Sequence, residues 1–481
     1  MAVTLGFVAS RVAFHAAGVR FDVSGLAWLW QFLDPAWLRH DLAQSLLYLH
    51  SQPPLMNALL GVVLKVAGSH APAVFHVLYE SLGLALALAL LGVLRGLGLG
   101  NRAAAAIALV YAICPTAVLY EHWLMYTHLE AVGLVIAAWA LHRFAAERRT
   151  RHVVICFAVL ASLALLRSLF HPLWLLPCGA LALAVAAPPR RVAALCFAIA
   201  LALTLGLSAK NAWLLGTPGT SSWLGMNFAN GLLQLWPLEE RRALVEQGVI
   251  TELSLVDPFS PLEAVPPAFQ TSAPVDVPAL AAPAKANEVT NFNHFAYIAI
   301  SRQYGRDATA LLRRDPRRWL VMEGRAWRRF LAAPSNYPLV EGNRRRMRGW
   351  DRLYGLLQGI PSAVRGPLTS ADHPDRTPGA ERLSWLWLAV GLFGIAYATR
   401  SLLRGARAAA RVPLAARNRA RMALLAFLLG NVLYVSLTAN AVELGENQRF
   451  RVTIEPLWLA LAAAAIHGVY RARKGAAGAA R

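Results

Sequence analysis

The sequence predicts an all-α polytopic membrane protein with about ten transmembrane helices. Hydrophobic residues make up 57% of the 481 residues, charged residues only 15%, and the mean hydropathy is +0.45. A soluble protein of this size is less apolar, whereas an α-helical bundle in lipid has this composition. The sequence has no alternating ten-residue segments of the kind that indicate a transmembrane barrel.

Ten apolar segments approach or exceed the length of a membrane-spanning helix. They lie at 3–19, 73–94, 103–119, 126–142, 153–169, 171–187, 192–209, 384–400, 422–440 and 453–470. The first segment contains Arg11 and His15 and lacks a small-residue cleavage site, so we interpret it as a membrane helix rather than a signal peptide. The four cysteines lie inside apolar segments, without the spacing of a disulfide or a metal site.

The short connections between these segments carry the basic residues that orient the chain. These are Arg95 and Arg102, four arginines in 142–152, Arg190 and Arg191, seven arginines in 400–421, and Arg471, Arg473 and Lys474. All of them fall on one side if the segments alternate, and the positive-inside rule makes that side cytoplasmic. The net charge of +21 therefore indicates a bilayer and not a nucleic-acid partner.

The apolar stretch 53–68 does not fit this alternation. Counting it as a span would put the arginines that follow on the outer side, so we interpret 22–68 as juxtamembrane structure on the outer surface. Its aromatic residues favour the membrane interface: they include Trp28, Trp30, Phe32, Trp37 and Tyr48. The alternative is that 53–68 spans the membrane and the charge rule fails locally.

A large outer region, 210–383, separates the seventh segment from the eighth. Seven prolines between Pro258 and Pro283 predict an extended surface loop, and helical patterns follow at 293–314 and 317–333. Fourteen arginines and five acids lie between Arg302 and Arg352, which indicates a solvated basic surface or contact with anionic headgroups. The chain thus divides into a membrane core at 1–209 with an outer loop at 20–68, the outer region, and C-terminal helices with a basic cytoplasmic tail at 384–481.

Ionisable residues collect in the outer turns, where they are candidates for chemistry. In the first loop these are Asp22, Asp34, Asp41 and His50. A carboxylate beside an apolar surface is suited to act as a general base, although each aspartate also fits a helix cap or a solvated loop position. The second turn carries Glu121, His122, Tyr126 and His128, and the third is bracketed by Arg167 and His171.

Two short sequence elements resemble those of a known enzyme family. The first is the aspartate-containing loop followed by His50-Ser51-Gln52-Pro53-Pro54-Leu55. The second is Glu446-Asn447-Gln448-Arg449-Phe450-Arg451, followed by Glu455-Pro456. In both, the chain resembles the GT-C superfamily of glycosyltransferases, and within it glycosyltransferase family 39, which includes protein O-mannosyltransferases and the lipid A aminoarabinose transferase. The resemblance covers roughly 1–210 and 384–470.

The resemblance implies a GT-C-like helical bundle that acts as an inverting glycosyltransferase on the outer face of the membrane. A sugar linked to a polyprenyl phosphate would be the donor, and a glycan, lipid or protein the acceptor, with membrane lipids as further partners. An aspartate of the first loop would be the general base, in the order Asp34, Asp22, Asp41. Many relatives carry an acidic pair after the first helix, whereas Val23 follows Asp22 here. The composition suggests a bacterium, so the expected location is the inner membrane with a periplasmic site.

The other expected roles divide into three sets. Donor-phosphate contacts are assigned to Arg167, Arg449, Arg451 and Lys210, because arginine binds phosphate in a bidentate manner. Substrate contacts are assigned to His50, Glu121, His122, His128, His171 and Glu446. The reaction requires either no cofactor or a divalent cation, for which Glu121 and His128 are candidates if they share a helix face. Snorkelling to headgroups for Arg167 and a hydrogen-bonded helix end for the second turn are the structural alternatives.

Two other functions fit the same sequence. A flippase or transporter of lipid-linked sugars would place ionisable groups at mid-membrane and contain repeats. The apolar helices contain few ionisable residues, mainly Arg11, His15, His76 and Glu80, and no internal repeat is visible. A non-catalytic accessory protein with the same fold is the third possibility, suggested by the missing acidic pair.

Overall fold

A computed structural model describes residues 1–186, 190–357, 384–411 and 415–479, with side chains to 474. The predicted outer-region residues 358–383 and the end of segment 171–187 lie outside these ranges. Within them the chain is helical and contains no strand, apart from isolated bridges that join Asp22 to Trp123 and Ala284 to Thr290. This confirms the all-α prediction.

The α-helices follow one another through the membrane core and the outer region. They are α1 (Ala2–Ala16), α2 (Gly25–Trp28), α3 (Pro35–His40), α4 (Leu42–Leu47), α5 (Leu55–Ala67), α6 (Ala71–Gly96), α7 (Asn101–Ala112), α8 (Pro115–Glu121), α9 (Tyr126–Glu147), α10 (Thr150–Leu166), α11 (Pro172–Val185), α12 (Arg190–Leu215), α13 (Leu224–Leu233), α14 (Leu238–Glu246), α15 (Pro278–Ala281), α16 (Ala296–Arg314), α17 (Pro316–Leu331), α18 (Glu341–Arg346), α19 (Arg348–Leu357), α20 (Trp385–Ala409), α21 (Ala416–Val442) and α22 (Asn447–Ala479).

Each of the ten apolar segments is mostly helical within the described residues. Six helical units are long and apolar enough to cross a membrane: 55–96, 126–147, 190–215, 385–409, 416–442 and 447–474. The pair α7 and α8 is a seventh if it is counted as one bent span, and α1, α10 and α11 are apolar but shorter, at 15, 17 and 14 residues. The protein is therefore a multi-pass membrane protein, while the number of ten spans stays a prediction.

The apolar segment 103–119 forms two helices with a bend between them, and not one straight helix. Helix α7 ends at Ala112, and α8 begins at Pro115 at an angle of 58° to it. The residue before a proline avoids helical dihedrals, and Cys114 is accordingly extended at φ −65° and ψ 146°. Residues 114–126 are buried throughout, so the polar residues of this predicted outer turn face the protein interior. The side of the membrane on which the turn lies stays a prediction.

Helix α5 is continuous with α6 through a short 3-10 turn, so 53–68 is neither a separate span nor a detached surface segment. Helix α6 alone has 26 residues and is about 39 Å long, which exceeds the ~30 Å of a hydrocarbon core. If α6 crosses the membrane, α5 therefore lies mostly beyond it, where it packs against α3 of the first loop. The location of the first loop on the membrane surface stays a prediction.

The basic connections meet at one end of the bundle. His142 near the end of α9 contacts Ala420 at the start of α21, with Nδ1 3.4 Å from the carbonyl oxygen, and it also packs against Gly96 at the end of α6. Arg421 donates to the Tyr397 hydroxyl at 2.9 Å. We call this the basic end and the other end of the bundle the site end. The connections after α6, α9 and α20 therefore lie at the same end, and the cytoplasmic location of that end stays a prediction.

The outer region builds its own apolar core around α13, α16 and α17. The two later helices begin and end within three residues of the predicted bounds. Asp307 of α16 accepts from the backbone N–H of Thr251 at 3.1 Å and from the hydroxyls of Thr251 at 2.6 Å and Ser254 at 2.8 Å. This contact holds the segment after α14 against the core. The proline-rich segment that follows is mostly irregular, with two 3-10 turns and the short α15.

Helices α20 and α22 approach closely at Gly394. A Cβ built on Gly394 would lie 2.9 Å from the backbone nitrogen of Ala462 and 3.1 Å from the carbonyl carbon of Leu461, and backbone atoms cannot move aside as a side chain can. We therefore expect Gly394→Leu to destabilise the protein by about 1–3 kcal/mol through overpacking. Gly430→Leu on α21 is the matched control, because nothing lies within 4 Å of a Cβ there. Thermal unfolding in nanodiscs that gave equal midpoints for the two variants would contradict the close packing.

Candidate functional site

The segment 122–126, between α8 and α9, is the backbone around which the polar groups of the site end gather. Asp22 pairs with it as a short parallel bridge: the Asp22 N–H donates to the His122 carbonyl at 2.8 Å, and the Leu124 N–H donates to the Asp22 carbonyl at 2.9 Å. The Tyr79 hydroxyl donates to the Met125 carbonyl at 3.0 Å. These bonds satisfy a buried, non-helical backbone that otherwise would lack partners.

On one side of this segment, three histidines surround the carboxylate of Glu80. The Nε2 atoms of His15, His76 and His122 lie 2.7, 3.4 and 3.6 Å from the same oxygen, Oε1. His122 is fully buried, whereas His15, His76 and Glu80 have side chains that are 26–30% exposed. We call these four residues the histidine cluster. They are the described residues whose geometry best suits a metal ion.

Asp22 lies next to the histidine cluster through its neighbours. Its backbone is bonded to His122, and the ring of the preceding Phe21 stacks on His76 at 5.4 Å between centroids. Oδ1 of Asp22 accepts from the Ser24 N–H at 2.8 Å, and the residue is half-buried. Its carboxylate therefore remains accessible at the rim of a buried polar centre.

On the other side of the segment, two buried arginines face the ring of Tyr126. The guanidinium carbon of Arg167 is 4.9 Å and that of Arg449 5.4 Å from the ring centroid. Arg167 pairs with Glu130, with both contacts at 3.2 Å, and the Thr453 hydroxyl donates to the same carboxylate at 2.6 Å. We call Arg167, Arg449, Glu130 and Glu446 the arginine centre.

Arg449 differs from Arg167 in its unused donors. It is 1% exposed and donates through Nη2 to Glu446, which also accepts from the Tyr337 hydroxyl. Nε and Nη1 of Arg449 are buried and have no hydrogen-bond partner among the described residues. Burial and the negative charge of Glu446 raise the pKa of Tyr337 well above its usual value, so this phenol is a donor at physiological pH. A buried guanidinium with two unpaired N–H donors can bind an anion by hydrogen-bonding to it.

Arg451 and Glu455 form a second buried pair one turn further along α22. Their closest atoms are 3.7 Å apart, and Arg451 donates through Nη1 to the Leu331 carbonyl at 3.0 Å. Nε and Nη2 of Arg451 and both oxygens of Glu455 lack hydrogen bonds within the described part of the chain. Arg451 therefore offers two further unpaired N–H donors on the same helix as Arg449, counted within the described residues.

Of the three aspartates expected as the base, only Asp22 lies at this site. Asp34 caps α3 by accepting from the Ala36 N–H at 2.6 Å, and its other oxygen accepts from the Ala286 N–H at 2.7 Å. Asp34 is 3% exposed and lies near Lys285. Burial lowers the pKa of Lys285 to about 8, and the negative charge of Asp34 opposes that shift. Asp34 thus has the contacts of a helix cap. Asp41 is exposed at the junction of α3 and α4.

Glu121 and His128 were proposed as a metal pair on one helix face, and the structure separates them. The helix is broken between them, so the spacing of seven residues does not bring them together. Glu121 accepts from Nε and Nη2 of Arg11 at 2.6 and 2.7 Å, a bidentate buried pair. Nε2 of His128 lies 3.2 Å from the Tyr79 carbonyl.

The remaining expected contacts lie away from both centres. Lys210 donates to the carbonyls of Leu47 and Leu49 at 2.7 and 2.9 Å and so closes the end of α4. His171 caps α11 by accepting from the Leu173 N–H at 3.2 Å.

His50 is completely buried and is bonded through Nδ1 to the Ser222 hydroxyl at 2.8 Å, which fastens the first loop to the outer region. Ser222 lines an open cavity of about 570 Å³ with Arg302, Trp319 and Val442.

Sequence reasoning missed His15, His76 and Glu80 as site residues and noted them only as rare ionisable groups in apolar helices. That rarity was the usable signal, because ionisable residues in membrane helices are costly and usually functional. Glu130 was missed too, although it lies four residues after Tyr126 in an apolar segment. His76 and Glu80 lie four residues apart on α6, a spacing that the sequence does show. His15 and His122 come from other elements, and Arg167, the partner of Glu130, is 37 residues away, so no short spacing joins these groups.

Comparison with known proteins gives little further guidance. No protein-family model and no curated protein sequence matches the chain. Among solved structures, the chain is similar to the archaeal oligosaccharyltransferase AglB from Archaeoglobus fulgidus in complex with an inhibitory peptide and a dolichol-phosphate. The two are 13% identical with a TM-score of 0.40, and the similarity covers 98% of this chain but only 52% of AglB. A similarity this low does not establish a family.

Breaking the buried Arg11–Glu121 pair should strongly lower the stability of the protein, and replacing both residues should restore most of it. Arg11→Met leaves the Glu121 carboxylate buried without its partner, which costs about 3–5 kcal/mol. Replacing both residues, as Arg11→Met with Glu121→Gln, removes the stranded charge and should recover most of that loss. Unfolding midpoints of the wild type, both single variants and the double variant measure the coupling. Additive effects would show that the pair is not a buried unit.

His50 should contribute to the pH dependence of the free energy of unfolding, and a single substitution should remove that contribution. Burial lowers its pKa from 6.5 to about 3, so the unfolded chain binds a proton that the folded chain refuses between these values. Stability therefore falls as pH decreases through 6.5, and by pH 5 this group alone costs about 2 kcal/mol. His50→Gln should reduce the difference in unfolding midpoint between pH 7 and pH 5 by this contribution, whereas His40→Gln, at an exposed position, should leave the difference unchanged. Equal pH profiles for wild type and His50→Gln would contradict the assignment.

Proposed function

We propose that this protein is a membrane-embedded inverting glycosyltransferase that moves a sugar from a polyprenyl-phosphate donor to an acceptor at the site end of the bundle. The proposal rests on Arg449, whose guanidinium is buried near Arg167 and has two N–H donors that no group in the described part of the chain accepts from. Each such donor costs free energy unless a ligand or water satisfies it. A phosphate group is the ligand that a fork of guanidinium donors fits best.

The surroundings of these arginines favour the phosphate of a lipid over that of a soluble nucleotide. The ring of Phe450 lies 4.2 Å from the guanidinium carbon of Arg167, and Tyr126 forms another apolar wall. The centre lies where α9 and α22 begin and α10 ends, and the ends of membrane helices are the places where lipid headgroups are expected. A polyprenyl chain in the bilayer would therefore present its phosphate at this depth.

Asp22 is the general base that this proposal requires, ahead of Asp34 and Asp41. Asp34 is buried and both of its carboxylate oxygens accept from backbone N–H groups, so its geometry is that of a helix cap. Asp22 is half-buried beside 122–126, and Tyr126 at the end of that segment contacts the arginines. Four residues span at most about 14 Å, a distance that a phosphate-linked sugar and an acceptor hydroxyl can bridge.

The reaction then needs two tasks from the protein. Asp22 accepts the proton of the acceptor hydroxyl as its oxygen bonds to the anomeric carbon from the face opposite the phosphate. The bond between the anomeric carbon and the phosphate oxygen breaks, and the electron pair stays on the phosphate, where Arg449 and Arg167 stabilise the charge. The configuration inverts because attack and departure occur on opposite faces.

The proposal extends to location and partners. The basic end faces the cytoplasm by the positive-inside rule, so the site end faces the outside, which in a bacterium is the periplasm. The donor reaches the site from the bilayer, and the acceptor, a glycan, lipid or protein, from the outer side. The outer region, joined to the first loop at His50, covers this end and would shape the acceptor side of the site.

Sugar release from a panel of polyprenyl-phosphate sugars tests the reaction and the base together. We expect the purified protein to turn over one donor, and Asp22→Asn to lower kcat by about 10²–10⁴-fold because the acceptor loses its base. Asp41→Asn is the matched control and should retain activity, since Asp41 is an exposed loop residue. Binding of a donor without release of its sugar by any preparation would favour the transporter alternative.

Binding of a polyprenyl phosphate without a sugar tests the arginine centre separately. Arg449→Met keeps an unbranched apolar side chain but removes the unpaired donors, so we expect the Kd to rise at least tenfold, corresponding to ~1.4 kcal/mol or more. Arg313→Met removes an exposed arginine of the basic outer surface and should leave the Kd unchanged. The reverse pattern would move lipid-phosphate recognition from the bundle to that surface.

A further inference from the structure

We propose that His15, His76, His122 and Glu80 form a binding site for a transition-metal ion, with Zn²⁺ the best-suited occupant. This inference is independent of the proposed transferase function, because it rests only on the geometry and chemistry of these four side chains. The expected metal pair, Glu121 and His128, takes no part in it.

The positions of the four ligand atoms suit tetrahedral coordination. Zn²⁺ bonds to imidazole nitrogen and carboxylate oxygen at about 2.0–2.2 Å, which places neighbouring ligand atoms ~3.3 Å apart. The three nitrogens lie 2.7, 3.4 and 3.6 Å from Oε1 of Glu80, and all four atoms lie within 4.8 Å of one another. Small rotations of the side chains would bring the wider pairs to bonding distance.

The hydrogen bonding of His122 gives the strongest reason for a cation. Nδ1 of His122 lies 2.8 Å from the carbonyl oxygen of Val118, and a carbonyl only accepts, so Nδ1 carries the proton. In the neutral ring, Nε2 then directs its lone pair at the Glu80 carboxylate from 3.6 Å, which is repulsive unless a positive charge lies between them. A histidine ligand that donates its other N–H to a backbone carbonyl is the usual arrangement around zinc.

A hydrogen-bond network without metal satisfies these groups less well. Three imidazoles approach the same oxygen, but only the His15 contact is a hydrogen bond, and Nε2 of His76 and His122 are buried without a hydrogen-bond partner within the described residues. Protonating all three rings would place three like charges around one carboxylate. One metal ion would bond to all three nitrogens and to the carboxylate at once.

The ligand types distinguish between classes of metal. Three imidazoles and one carboxylate suit Zn²⁺, Co²⁺ or Ni²⁺, whereas Mg²⁺ and Ca²⁺ prefer sites made of oxygen ligands. The partial exposure of His15, His76 and Glu80 leaves a path by which an ion can enter. Because the rings belong to α1, α6 and the α8–α9 break, the ion would join these three elements and hold the strand-like backbone pairing of Asp22.

Metal analysis and thermal unfolding of the tag-free, full-length protein test the site. After removal of metal by a chelator and dialysis, we expect Zn²⁺ to bind at one ion per chain and to raise the unfolding midpoint, whereas Mg²⁺ should leave it unchanged. Co²⁺ should produce the visible absorption of a tetrahedral nitrogen and oxygen site. His122→Ala should reduce the Zn²⁺ affinity at least a hundredfold, and His15→Ala, on a different helix, should do the same.

Two comparisons keep the result decisive. His70→Ala removes an exposed histidine just before α6 and should bind Zn²⁺ like the wild type. Should His122→Ala fail to fold, His15→Ala and titration of the chelated wild type still decide the question. Chelated wild type that binds no Zn²⁺, or binding that survives both cluster variants, would overturn the proposal. If the wild type binds Zn²⁺ but releases sugar from no donor, the proposed transferase function is wrong and the metal site stands.

Discussion

Pairing of buried charges is the constraint on which the rest of this bundle depends. In a membrane helix an unpaired ion is very costly, so each ionisable residue in an apolar segment must find a partner on another element. Arg11 finds Glu121 and ties α1 to α8, while Arg167 finds Glu130 and ties α10 to α9. These ion pairs therefore also stabilise the packing of α1 against α8 and of α10 against α9 at the site end.

The break between α8 and α9 explains why the histidine cluster and the arginine centre lie near each other. The helix breaks before Pro115 and again at 122–125, and Asp22 and Tyr79 hydrogen-bond to the buried backbone of the second break. A non-helical backbone at this depth is tolerated only where protein or a polar cavity surrounds it. The same break that needs such surroundings presents His122 to one side and Tyr126 to the other, so the histidine cluster and the arginine centre share one scaffold.

The sequence predicted the helical class, the ten apolar segments and the helices at 293–314 and 317–333, because hydrophobic periodicity and charge asymmetry are local signals. It also placed Arg167, Arg449 and His122 at the ends of helices. It could not predict that Asp34 caps α3 while Asp22 pairs with the second break, since both are single aspartates in the same loop. Nor could it join His15 to Glu80, which are 65 residues apart and meet only through the packing of α1 on α6.

A structure of the protein bound to a polyprenyl phosphate in a lipid nanodisc would decide whether the arginine centre binds the donor. We expect the phosphorus atom between Arg167 and Arg449, with Nε or Nη1 of Arg449 donating to a phosphate oxygen and the prenyl chain leaving the bundle toward lipid. We also expect Asp22 on the open side of the headgroup. A phosphate seated on the arginine-rich surface of 302–352, with Arg449 unchanged, would show that the arginine centre is not the donor site.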